Sequence, residues 1–182
     1  MPPDPTNLLQ AIGLQTPLIG FYDAPDAQPF RPLVRPEPGQ RVCVFAFYQQ
    51  WLAGQTLQIT KDNYGCGGAA HWLCGLETRS RESFVRFLVE DGGLRASPEL
   101  MSQWLDYHQG YQQEHAHILI GPLRAERYAY LKSVTIYVNP DPMSLLLLGA
   151  NYNHAHSDPP AVIASFGSGC MELVSLFADL RL

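Results

Sequence analysis

The chain has 182 residues, 46% of them hydrophobic and only 16% charged, and a formal net charge of −5. That length supports an apolar core without disulfide staples, and the acidic balance excludes the clustered Lys and Arg of a nucleic-acid binder. The start, MPPDPTNLLQ, lacks the basic-then-apolar order of a signal peptide, and the runs HILIGPL and MSLLLLGA are too short to cross a bilayer, so a cytoplasmic protein without membrane partners is expected.

The charged fraction is well below the roughly 25% of an average globular domain. Part of the surface is therefore expected to be covered, as it is in a homo-oligomer. The basic stretches Arg79, Arg81, Arg86 and Arg124, Arg127, Lys132 are interrupted by glutamates and read as solvated faces.

Residues 6–13 read as a short helix capped by Thr6 or Asn7 and stopped by Gly13. Residues 17–23 (PLIGFYD) read as a strand. From 24 to 40 the chain carries Pro25, Pro29, Pro32, Pro36 and Pro38, a spacing that opposes regular structure and predicts a long surface loop. Residues 41–52 (RVCVFAFYQQWL) are apolar and aromatic, and the Ala53-Gly54 stop before the strand-like TLQIT favours a helix. A strand at 56–60 and a polar loop at 61–65 lead into a helix at 66–76, with small residues at its start.

An amphipathic helix is predicted over 80–90, with Phe84, Phe87 and Leu88 on one side. Ser97-Pro98 supplies an N-cap and a first-turn proline for a helix to about residue 109. Strands follow at 117–122 (HILIGP) and 134–139 (VTIYVN), then a helix at 143–152, a strand at 161–166 (AVIASF) and a last helix at 171–180.

This order predicts a mixed α/β fold in one domain over residues 1–182. It contains two similar β-α-β-α halves, at about 17–77 and 133–182, with a helical insert at about 80–110. Both first strands are followed by an acid beside proline, Asp23-Ala24-Pro25 and Pro140-Asp141-Pro142. Both second strands lead into Gly-Cys at a helix start, Gly65-Cys66 and Gly169-Cys170. Chance similarity of α/β units is the alternative. A true duplication predicts a pseudo-two-fold axis that sets Cys66 and Cys170 on opposite walls of one crevice, where α/β sheets tend to bind ligands.

Cys66 and Cys170 share a local design suited to a thiolate. The helix dipole and free amides at a helix start lower a thiol's pKa, and Gly65, Gly67, Gly68, Gly167 and Gly169 leave the sulfurs unshielded. Cys43, between Val42 and Val44, and Cys74, eight residues beyond Cys66, read first as small core hydrophobes. Without CxxC, a zinc ribbon or thioredoxin-like dithiol is not expected.

Two His-x-His pairs occur, His115/His117 and His154/His156. On a strand such a pair shares a face and can chelate a metal, though surface or capping roles are the favoured reading. His71 either approaches Cys66 or fills a core edge. No GxSxG, Walker loop or GxGxxG is present. Gly167-Ser168-Gly169-Cys170 could also hold a small anion by backbone amides, and a Cys66 nucleophile with His71 or the His154 loop is chemically sufficient.

The run PLIGFYDAPDA, the Cys43 helix, TLQITKDNYGCGGAAHWLCGLE, VTIYVNPDPMSLLLLGANYN and FGSGC together resemble the family called domain of unknown function 169, from about Pro17 to Leu180. The resemblance implies that Cys43, Cys66 and Cys170 are matching positions, which favours a site role for Cys43. The family's further Cys-x-Gly-x-Arg segment is not found before Leu182, so a full set of cysteine ligands is not expected from this sequence alone.

The expected function is metal or cofactor binding, redox in type, at a site between the two Gly-Cys helix starts. Cys66, Cys170, Gly65, Gly67 and Gly169 would contact a cofactor, and Cys43, Cys66, Cys170 and His71 would ligate a metal ion or iron–sulfur cluster. The alternatives are a non-catalytic binding domain for a small anion and a cysteine-dependent enzyme acting on a small molecule.

Overall fold

The alternation of side chains in IGFYDA builds an inner strand of the sheet. The structure, a computed structural model, describes residues 16–40, 42–60, 79–107 and 111–136, with residues 10, 11, 13 and 63. Strand β1 (Ile19–Ala24) is buried along its whole length. β2 (Leu33–Val34), β3 (Thr56–Ile59), β4 (His117–Pro122) and β5 (Leu131–Thr135) complete a mixed sheet in the order β2-β3-β4-β1-β5. Among the described strands only β2 and β3 are parallel; β1 runs antiparallel to both β4 and β5, and β3 antiparallel to β4.

Period two sends Ile19 and Phe21 to one face and Tyr22 and Ala24 to the other. On the first face they join Leu57, Ile59, Ile118 and Ile120 beneath Val44, Phe47, Trp51 and Tyr111. On the second, Tyr22, Ala24 and Leu119 pack against Phe30. Burial on both faces explains why these strands read as nearly unbroken apolar runs. Gly20 is required by close packing: a Cβ there would stand 2.4 Å from the Tyr22 ring.

The helix expected over 41–52 is split. Val44–Phe47 is a 3-10 helix that leads into α1 (Tyr48–Leu52). Val44 and Phe47 are three apart and Trp51 four further on, so the tighter turn followed by an α turn keeps all three buried against the sheet. Gly54, at φ +82°, then turns the chain into β3.

The proline-rich stretch holds more regular structure than its spacing predicts. Gln28–Phe30 is a 3-10 turn, and Leu33–Val34 is a sheet edge. Pro29 sits in the first turn, where a missing N–H is tolerated. The Pro32 carbonyl, which needs no N–H of its own residue, accepts from Thr56 N–H at 2.9 Å.

The insert folds as a helical hairpin. Ser80 caps α2 (Arg81–Glu90) by accepting from the Ser83 N–H at 3.2 Å, and Ser97 accepts from Leu100 N–H at 3.3 Å at the start of α3 (Pro98–Tyr107). Phe84, Val85 and Leu88 of α2 pack with Met101 and Leu105 of α3 in a cluster of their own. Val85 takes the inward place expected for Phe87, which is 37% exposed with the Arg79 guanidinium 4.6 Å above its ring.

β5 starts at Leu131, three residues before the strand expected at 134–139. The first strands of the two expected halves are thus antiparallel neighbours. The second strand of the later half, at 161–166, and its Gly-Cys turn lie outside the described residues. No helix among the described residues is long and apolar enough to cross a membrane.

Candidate functional site

Asp23 closes β1 on the face it shares with Ile19 and Phe21, so its carboxylate enters an apolar layer and must find its partners there. Three donors among the described residues meet it. The Tyr111 hydroxyl donates to Oδ2 at 2.7 Å, the Glu114 N–H to Oδ2 at 2.6 Å and the His115 N–H to Oδ1 at 2.9 Å. His115 Nδ1 stands 3.4 Å from Oδ1, and the Tyr111 ring meets Phe21 edge-on at 5.1 Å.

Ligand atoms of Asp23, Glu114 and His115 lie within 4.8 Å of one another, a donor set with the composition of a divalent-cation site. Their bonds are already committed, however. Both Asp23 oxygens accept hydrogen bonds, and Glu114 Oε2 pairs with Lys132 Nζ at 2.6 Å. The cluster acts as a clamp that ties residues 111–115 to the end of β1.

On the opposite face a second polar chain runs toward the sheet edge. Gln58, buried in β3, accepts from Arg35 Nε at 2.7 Å through Oε1. Its amide nitrogen therefore faces His117 Nδ1, at 2.8 Å, and donates to it. This fixes His117 as the tautomer protonated on Nε2. His115 and His117 are thus engaged by partners on opposite faces of the sheet, and they do not form the chelating pair that their spacing allows.

Arg127 departs from the solvated face expected for it. It is only 2% exposed, donates through Nε to the Pro29 carbonyl at 3.1 Å and through Nη1 to Thr56 Oγ1 at 3.3 Å, and lies 5.0 Å over the Phe30 ring. Burial pulls its pKa below the usual guanidinium value. Nearby, burial pushes the Tyr22 phenol up to about 12, and its hydroxyl donates to the Pro122 carbonyl at 3.0 Å. The Arg127 contacts hold the proline-rich segment onto the sheet.

Cys43 also departs from its first reading as a core hydrophobe. It is exposed, in extended conformation (φ −60°, ψ 140°) at the start of the 3-10 helix, while Val44 beside it is buried. The apolar neighbours turn inward and leave the thiol facing water. The other expected site residues, Cys66, Cys170, Gly65, Gly67, Gly169 and His71, lie outside the described residues, as do Cys74, His154 and His156.

The chain's similarity to known families carries the same emphasis on its whole length. The family model of domain of unknown function 169, described as an uncharacterised ArCR family, matches residues 7–179. The chain belongs to this family. No curated protein and no solved structure matches it.

For a DUF169 chain, the Asp23 clamp is the feature that sequence reasoning missed. Its signal was present: an aspartate at an inward position of an apolar strand requires buried donors. Those donors come from a segment nearly ninety residues away, so no local pattern names them.

Proposed function

We propose that this protein binds a metal ion or metal cluster of redox type, with thiolates of Cys43, Cys66 and Cys170 among the ligands and His71 beside them. The observation that carries this reading is the exposed Cys43 thiol, set in an apolar run in which Val44 and Phe47 are buried and Val42 and Phe45 partly buried. A thiol held in water next to a packed core is available for ligation, whereas a packing cysteine is not. The Gly65-Cys66 and Gly169-Cys170 sequences support it further, because helix-start amides stabilise a thiolate. On this reading the two halves bring Cys66 and Cys170 to one crevice, and the protein works in the reducing cytoplasm, where thiols persist.

The test is elemental analysis and absorption spectroscopy of anaerobically purified protein, wild type and with Cys43→Ser, Cys66→Ser and Cys170→Ser. Stoichiometric metal in the wild type and its loss in the variants is expected. Metal-free wild-type protein, or full loading in all three variants, overturns the reading.

A further inference from the structure

The edge strand β2 is flanked by two arginines, and they line one cavity. Arg31, Pro32, Leu33 and Arg35 bound an open depression of about 690 Å³. Two other exposed arginines pair with acids, Arg81 with Asp106 and Arg86 with Glu82. Arg31 has no side-chain hydrogen bond or ion pair among the described residues, and no acid is among the described lining residues.

Arg35 differs from an ordinary surface arginine because its guanidinium is aimed. Nε is held at 2.7 Å by Gln58 Oε1, and Gln58, only 2% exposed, is itself fixed at 2.8 Å by His117 Nδ1. The buried chain settles the side chain's rotamer in advance and leaves both terminal Nη groups as a fork. A fork of this kind matches two oxygens of an oxyanion at once, and ordering it beforehand lowers the cost of binding.

We infer that Arg31 and Arg35 form a binding site for a phosphate monoester at the sheet edge. Two cations at one cavity match the charge of a phosphate dianion, and three terminal oxygens give each arginine an acceptor. Arg35 supplies the oriented contact, and Arg31 the second cation. The inference does not depend on the thiol site.

Calorimetry and phosphorus NMR on the full chain, with inorganic phosphate and pyrophosphate as probes, test it. Saturable binding is expected in the wild type, weakened roughly ten- to hundredfold by Arg31→Met or Arg35→Met, the loss that follows from removing a charged hydrogen bond. Arg31→Met should unfold thermally as the wild type does, since that side chain holds no other described group. Gln58→Leu should weaken binding although it removes no charge. No saturable binding of either probe, or equal affinity in the wild type and Arg31→Met, overturns the site. Acetate or citrate binding more tightly than phosphate at the same arginines overturns the phosphate assignment.

Discussion

Tyr111 donates its hydroxyl to the buried carboxylate of Asp23 at 2.7 Å across 88 positions of sequence, and the same carboxylate caps the N–H groups of Glu114 and His115. One residue of β1 thereby decides where the chain enters β4. Removing the hydroxyl with Tyr111→Phe leaves the ring against Phe21 but deletes a hydrogen bond to a charge, which costs about 1.5–3 kcal/mol. Asp23→Ala leaves several buried or half-buried donors without an acceptor and is expected to cost more, on the order of 3–5 kcal/mol. Urea unfolding of the two variants measures both. Equal, near-zero losses would show that residues 111–115 are held by something other than this carboxylate.

The Tyr22 phenol gives the fold a specific weakness to alkali. Unfolded, it ionises at its ordinary value of 10; folded, burial keeps its proton to about 12. Below pH 10 both states are protonated and the group adds no pH dependence. Between 10 and 12 the unfolded chain sheds a proton that the native one keeps, so stability falls, by roughly 2–3 kcal/mol in total. Tyr22→Phe removes this fall while losing about 1 kcal/mol at neutral pH from the bond to the Pro122 carbonyl. Unfolding free energies at pH 8, 10 and 11.5 should therefore cross, with the wild type the more stable protein at pH 8 and the less stable one at pH 11.5.

Cys43 is expected to be dispensable for folding. Its side chain is exposed, and among the described residues only its backbone carbonyl is engaged, by the Ala46 N–H at 2.9 Å. Cys43→Ser should change stability by less than about 0.5 kcal/mol, and the thiol of metal-free native protein should react with iodoacetamide without denaturant. Protection of Cys43 in metal-free native protein, read by mass spectrometry, would show that it is covered.

The sheet was legible where burial on both faces made whole strands apolar: IGFYD, TLQIT and HILIGP all became strands within a residue or two of their predicted bounds. Ser97 announced its helix because capping is a local event, and the helix at 81–90 showed in its apolar spacing. What escaped was set by distant partners. β2 is a strand only because Leu33 and Val34 find Thr56 and Leu57, and five prolines concealed it. The exposure of Cys43 depends on which neighbours the sheet buries, and an apolar run does not specify that. The Asp23 clamp joins segments that no spacing rule relates. Cys66 and Cys170, on which the sequence argument leaned most, fall outside the described residues, so of the proposed ligands only Cys43 is in view.

Arg127 sets two effects against each other. As a clamp it satisfies the Pro29 carbonyl and Thr56 Oγ1, worth about 1–3 kcal/mol for each group left unmet. As a buried cation without an ion-pair partner among the described residues, it carries a desolvation cost of several kcal/mol. Arg127→Met keeps most of the volume over Phe30, removes the charge and loses both bonds, so the two terms nearly cancel and the net change should stay within about 1.5 kcal/mol. Arg127→Ala relieves the same charge but leaves a cavity beside the ring, and is expected to cost a further 2 kcal/mol or about that. Urea midpoints of the pair decide the matter: if Met is as damaging as Ala, the hydrogen bonds outweigh the buried charge, and Arg127 earns its place as a polar clamp rather than as packing.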